Sequence, residues 1–146
     1  MRFAVWLTAG AIALVHAATA GRYDAQRNEL CFLACGWHPD FGYVDQPPLV
    51  PLIAAATQVF GVNIWMLRLP ATIAAVGLVF LTASFARLLG GGARAAALAA
   101  IAAGIAPGLA GLTSHLTTST FELIAWTGAA FLLTRAILRD RRSDLI

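Results

Sequence analysis

Apolar residues fall into long runs divided by short polar breaks, and the position of each break sets the elements the chain predicts. Residues 3–20 form an unbroken apolar stretch behind a one-arginine start, Met1 and Arg2. As a helix the stretch is about 27 Å long, just enough to cross a bilayer. Ala18, Thr19 and Ala20 before Gly21 also have the form of a signal-peptide cleavage site. The run therefore reads either as a retained span or as a removed leader, and both place residue 21 on the outer side. Residues 21–47 are polar and hold Asp24, Glu29, Asp40 and Asp45 together with Trp37, Phe41 and Tyr43. Within them, residues 29–37 carry Leu30, Leu33 and Ala34 on one helical face with Phe32 beside it, the pattern of a short helix lying on the membrane surface. Pro39 and the pair Pro47 and Pro48 break regular structure. Residues 49–60 are apolar but too short to span, and predict a second interfacial helix; Gly61, Val62 and Asn63 then turn the chain into the membrane.

Residues 64–89 are long enough to span with some tilt, with Arg68 one turn in and Arg87 near the far end. Gly90, Gly91 and Gly92 predict a tight turn, and residues 93–112 a third span made mainly of alanine, in which Gly104 and Gly108 suit close helix contact. Residues 113–120 read as a polar loop, 121–138 as a fourth span and the remainder as an ionic tail. The expected fold class is all-α: an integral membrane helical bundle of about four transmembrane helices plus two interfacial helices.

Composition agrees. Of the 146 residues 60% are hydrophobic and 12% charged, where a soluble domain carries about a quarter charged residues. The net charge of +3 comes from ten arginines and no lysine against seven acids, too scattered to make the basic stripe of a nucleic-acid binder. Arg2, Arg87, Arg94, Arg135, Arg139, Arg141 and Arg142 fall on one side of the spans, against Arg22, Arg27 and Arg68 on the other. By the positive-inside rule the first side is cytoplasmic, so the acidic loop faces outward from the inner (plasma) membrane. Cys31 and Cys35 lie four apart, a spacing suited to packing rather than to a disulfide within a regular helix. The triple glycine lacks the Gly-Lys-Ser/Thr of a phosphate-cradling loop.

The run RNELCFLACGWHPDFGYVDQPPLVPLIA, from Arg27 to Ala54, resembles the first external loop of the bacterial GT-C membrane glycosyltransferases related to protein O-mannosyltransferases and to the lipid A aminoarabinose transferase. Glu29, Leu30, Cys35, Gly36 and the stretch GYVDQPP carry the likeness. Leu67, Arg68, Leu69 and Pro70 resemble the family's Arg-Leu-Pro at the start of the next span, and SHLTTSTFELIAW its second external loop. The resemblance implies that a sugar on a polyprenyl phosphate is attacked at its anomeric carbon by an acceptor hydroxyl, with the lipid phosphate leaving. A carboxylate serves as general base in such a transfer, and cations or a divalent metal balance the phosphate. It further implies Glu29 and Asp45 as catalytic carboxylates, Arg68 as a donor-phosphate ligand, and His115 and Glu122 as substrate-binding residues of the second loop.

Two departures from the pattern stand out. Asn28 occupies the position where the family's acidic pair begins with aspartate, and Glu122 replaces an aspartate. Family members are also longer, so residues 1–146 are expected to be the amino-terminal transmembrane portion, with residues 21–63 as the first external loop, and to be inactive in isolation. The competing reading is a non-catalytic truncated or split membrane protein that assembles with further helices of the same or another chain. Taken without the resemblance, Glu29 and Asp45 are solvated loop acids, Arg68 a snorkelling arginine, His38 and His115 loop histidines, and His16 a packed one.

Overall fold

The computed structural model describes residues 2–59 and 61–143, and every regular element among them is helical. Phe60, at the end of the expected second interfacial segment, and Asp144, Leu145 and Ile146 of the tail lie outside the described residues. The elements are α1 (Arg2–Ala20), α2 (Arg27–Gly36), α3 (Leu49–Gln58), α4 (Ile64–Leu88), α5 (Ala93–Ile105), α6 (Pro107–Thr113) and α7 (Thr118–Ser143). By length and composition α1, α4 and α7 each suffice to cross a membrane, and α5 with α6 makes a fourth crossing if the bent pair is one span.

Local chemistry explains most of the boundaries. Asn63 caps α4 by accepting a hydrogen bond from the Trp65 N–H at 2.8 Å. Pro51 sits in the first turn of α3, where its missing N–H costs nothing. After α4 the chain stops helically with Gly90 at φ 89° while the Gly91 N–H reaches back to the Ala86 carbonyl at 2.9 Å. That left-handed exit is open to glycine above other residues, and it makes the tight turn the glycines predict.

The third span departs from expectation. Rather than running continuously over 93–112, it breaks at Ala106, which is extended (ψ 112°), and α5 and α6 meet at 63°. Pro107 is the cause: it disfavours helical geometry at the residue before it, and then begins α6 at a position that tolerates it. The second loop is shorter than expected, because α7 starts at Thr118, where the Thr117 hydroxyl accepts from the Thr120 N–H at 3.4 Å. At its other end α7 continues to Ser143 through what composition reads as an ionic tail; arginines are good helix formers and favoured near a helix carboxyl end.

Helix α4 is the axis of the bundle, touching α1, α3, α5, α6 and α7. Toward its carboxyl end, Val79 and Ala83 pack with Val5 and Ala9 of α1 and Ala96 and Ala100 of α5, small residues that let the backbones approach. Gly104 belongs to this seam: a Cβ there would lie 2.4 Å from Thr8 Cγ2, whereas Gly108 has open space around it. Helix α7 packs along α4 through Gly77 against Ile124 and the edge-to-face pair Phe85 and Phe131, 5.9 Å between centroids. At the opposite end of α4, Leu67 joins Phe32, Val50, Ala54 and Leu116 in a second core that holds the α2–α3 hairpin to the bundle.

Candidate functional site

The second core surrounds a polar centre. Glu29 is the third residue of α2 and Arg68 lies one turn into α4; both are fully buried, at 0% and 1% exposure. Their side chains meet in a two-pronged pair, Arg68 Nε donating to Glu29 Oε1 at 2.9 Å and Nη2 to Oε2 at 2.8 Å. Each carboxylate oxygen accepts one further bond, Oε2 from the Gln26 N–H at 3.0 Å and Oε1 from the Leu116 N–H at 3.1 Å. The remaining guanidinium hydrogens go to backbone carbonyls: Nη1 to Ala20 and to Tyr23 (3.3 Å), Nη2 also to Asp24 (3.0 Å). An arginine has five donors and a carboxylate about four acceptor sites, so both inventories are spent.

One ion pair thus fastens together the end of α1, the 21–26 loop, the start of α2, the start of α4 and the loop between α6 and α7. Burial pushes the Glu29 carboxyl up, but the Arg68 hydrogen bonds, the Gln26 and Leu116 N–H groups and the Arg68 charge outweigh it and hold Glu29 below the usual carboxylate value. It is therefore ionised, and the desolvation cost of the buried pair is offset by complete hydrogen bonding.

His115 stands beside the pair, its Nδ1 3.7 Å from Glu29 Oε2. That separation is too long for a hydrogen bond, and the nitrogen is buried without a hydrogen-bond partner. Burial lowers the His115 pKa; attraction by Glu29 works against this and repulsion by Arg68 with it, and the net direction is down. His115 is neutral at pH 7 and holds the free polar capacity at this centre.

The first loop is built around the same hairpin. The Tyr43 hydroxyl accepts from the Asp40 N–H at 3.0 Å and faces the Cys35 and His38 carbonyls at 3.1 and 3.0 Å, closing the irregular stretch after α2. Gly36 lies against α3, where a Cβ would stand 3.0 Å from the Ala55 nitrogen and 2.4 Å from Gln58 Nε2; Gln58 donates to the Leu33 carbonyl at 3.1 Å. Asp45 is exposed, and its neighbour Gln46 accepts from the Thr118 hydroxyl at 3.1 Å, which ties the first loop to the start of α7. Glu122 is exposed one turn further along that helix.

Of the five residues singled out from sequence, three come together, Glu29, Arg68 and His115. Asp45 and Glu122 sit apart from that centre on the loop and helix it supports. Arg68 does not snorkel: it is the largest of the fully buried side chains among the described residues. The roles of Gln26, Leu116 and the Ala20, Tyr23 and Asp24 carbonyls were invisible in sequence because they act through backbone groups. Residues 28 and 29 divide sharply, since successive helical positions point about 100° apart: Glu29 turns inward and Asn28 is exposed. Among the described residues no three His, Cys, Asp or Glu side chains converge, so they do not by themselves make a divalent-metal site.

Comparison with known proteins adds a family. No curated protein and no solved structure matches the chain. Residues 45–146 match the family model described as dolichyl-phosphate-mannose-protein mannosyltransferase. The match takes in Asp45, Arg68, His115 and Glu122, while Asn28 and Glu29 precede it. The mannosyltransferase-like assignment made from the loop motifs is upheld by a match over most of the chain: the protein belongs to the dolichyl-phosphate-mannose-protein mannosyltransferase family.

Proposed function

We propose that the chain forms the amino-terminal, loop-bearing portion of a glycosyltransferase that moves a sugar from a polyprenyl-phosphate donor to an acceptor hydroxyl at the outer membrane face. In this reaction the acceptor oxygen bonds to the anomeric carbon, the bond from that carbon to the phosphate oxygen breaks, and the electron pair leaves with the lipid phosphate. The acceptor proton passes to a carboxylate. The observation that carries this reading is the Glu29–Arg68 pair joining the two loops that bear the family's motifs into one face.

Within that face the roles divide by exposure. Glu29 and Arg68 hold the loops in register. Asp45 is the acceptor-side carboxylate open to solvent, and His115 and Glu122 line the substrate side. Asn28 occupies an exposed helical position where an aspartate would accept a proton directly. A second reading, a non-catalytic member that assembles with a partner, is favoured by the same pair: with every donor and acceptor of Glu29 and Arg68 engaged and an amide at residue 28, the face has few groups left for chemistry.

Transfer from a labelled polyprenyl-phosphate hexose, measured in membranes holding the intact protein, separates the two. Asp45→Asn should lower turnover about 10²-fold, as loss of a general base does, and Asn28→Asp should raise it. Turnover that ignores both substitutions would reject the assignment of these residues. Absence of transfer from wild type and Asn28→Asp alike would leave the non-catalytic reading standing.

A further inference from the structure

At the other end of the bundle three arginines from two helices border one cleft. Arg87, in the last turn of α4, faces Arg135 and Arg139 of α7 across a hollow of about 370 Å³ whose remaining walls are Leu88 and Leu138. Among the described residues Arg87 and Arg135 have no ion-pair partner. Arg87 also borders a second hollow of about 330 Å³ toward α1 and α5, walled by Val5, Trp6, Phe80 and Ala83.

We propose that this end binds one anionic glycerophospholipid, its phosphate between Arg87 and Arg135 and an acyl chain along the hollow beside Trp6 and Phe80. Guanidinium groups repel one another unless an anion lies between them, and their planar forks match phosphate oxygens in pairs. The cleft lies where the candidate span α4 stops, which is headgroup depth for a helix that crosses the bilayer, so the anion arrives attached to a lipid. Basic pockets between membrane helices take phosphate headgroups in this way. Scattered snorkelling arginines would meet the positive-inside rule equally well, but would not need to converge from two helices on one cavity, nor border an aromatic hollow. The site is independent of the glycosyl-transfer reading, which concerns the opposite end of α4.

Native mass spectrometry of the delipidated protein in detergent, titrated with phosphatidylglycerol or with phosphatidylcholine of the same chains, tests it. Wild type should prefer phosphatidylglycerol about tenfold, because phosphatidylcholine offers the same phosphate but brings a choline cation against the guanidiniums. Arg87→Gln with Arg135→Gln should abolish the preference. Arg87→Lys with Arg135→Lys preserves charge and topology but removes the forks, and should weaken phosphatidylglycerol binding severalfold; it decides the matter if the glutamine variant does not fold. Equal binding of the two lipids by wild type, or an unchanged phosphatidylglycerol affinity in the lysine variant, would overturn the proposal. Displacement of phosphatidylglycerol by an equal concentration of inorganic phosphate would show a free-anion site and overturn it likewise.

Discussion

Arg68 decides more of this molecule than any other side chain. Its five N–H groups reach a carboxylate and three carbonyls, Ala20, Tyr23 and Asp24, in segments remote in sequence. A lysine keeps the charge but offers three donors from one point, and cannot fork across both Glu29 oxygens while holding those carbonyls. Arg68→Lys is therefore expected to melt at lower temperature in detergent, and Glu29→Gln to cost about 3 kcal/mol or more by leaving a buried guanidinium without its counter-charge. Acid should act in two stages. The His115 pKa is lowered in the folded protein, so stability present above its unfolded value of 6.5 is lost as pH falls below it. The Glu29 pKa is lowered as well, so its contribution is intact above 4.5 and declines as pH falls further. Thermal melts across pH 7.5 to 3.5 should show both stages in wild type and a smaller upper stage in His115→Gln; an upper stage of unchanged size would remove His115 from the centre.

At the scale of the elements, the α2–α3 hairpin rests on one close approach. A methyl group at residue 36 meets the Ala55 backbone at 3.0 Å and displaces the Gln58 amide that binds the Leu33 carbonyl. Gly36→Ala should cost about 1–3 kcal/mol, the range for overpacking, and speed proteolysis between α2 and α3; cleavage no faster than wild type would show that the helices separate freely. Such a dependence was legible in sequence only as a motif, since nothing in the periodicity says that Gly36 faces a neighbouring backbone. The helices themselves were legible for plain reasons: runs of apolar residues, prolines at 39, 47 and 48, and the glycine turn. Where the reading failed, a local rule lost to a stronger one. Alanine-rich composition predicts a straight third span, yet the constraint that Pro107 places on Ala106 bends it. The centre at Glu29 was half legible, because the acidic residue and the arginine were both visible but their pairing across 39 positions was not.

For the whole molecule, helix order fixes a two-ended body. The 21–26 segment, the α2–α3 hairpin and the α6–α7 loop share one end, with Arg87, Arg94, Arg135 and Arg139 toward the other. By the positive-inside rule the arginine asymmetry predicts that the acidic end faces outward, as the proposed function requires. In a background lacking Cys31 and Cys35, cysteine at Asp40 should react with a membrane-impermeant thiol reagent on intact cells. Cysteine at Gly92, which has open space around it, should react only after the membrane is opened. The reverse pattern would invert the topology and remove the outer-face chemistry.

The pair at Glu29 also sets an order of events during biosynthesis. Its carboxylate leaves the ribosome 39 residues before its guanidinium partner and 87 before the Leu116 amide that completes it. Until residue 68 is made, the first loop has nothing to lock against; until residue 116 is made, Oε1 lacks the second of its two donors. The end of the bundle that carries Glu29 therefore closes only after α6 has been made, and nascent chains arrested before Leu116 should remain open there to a protease that spares the finished protein.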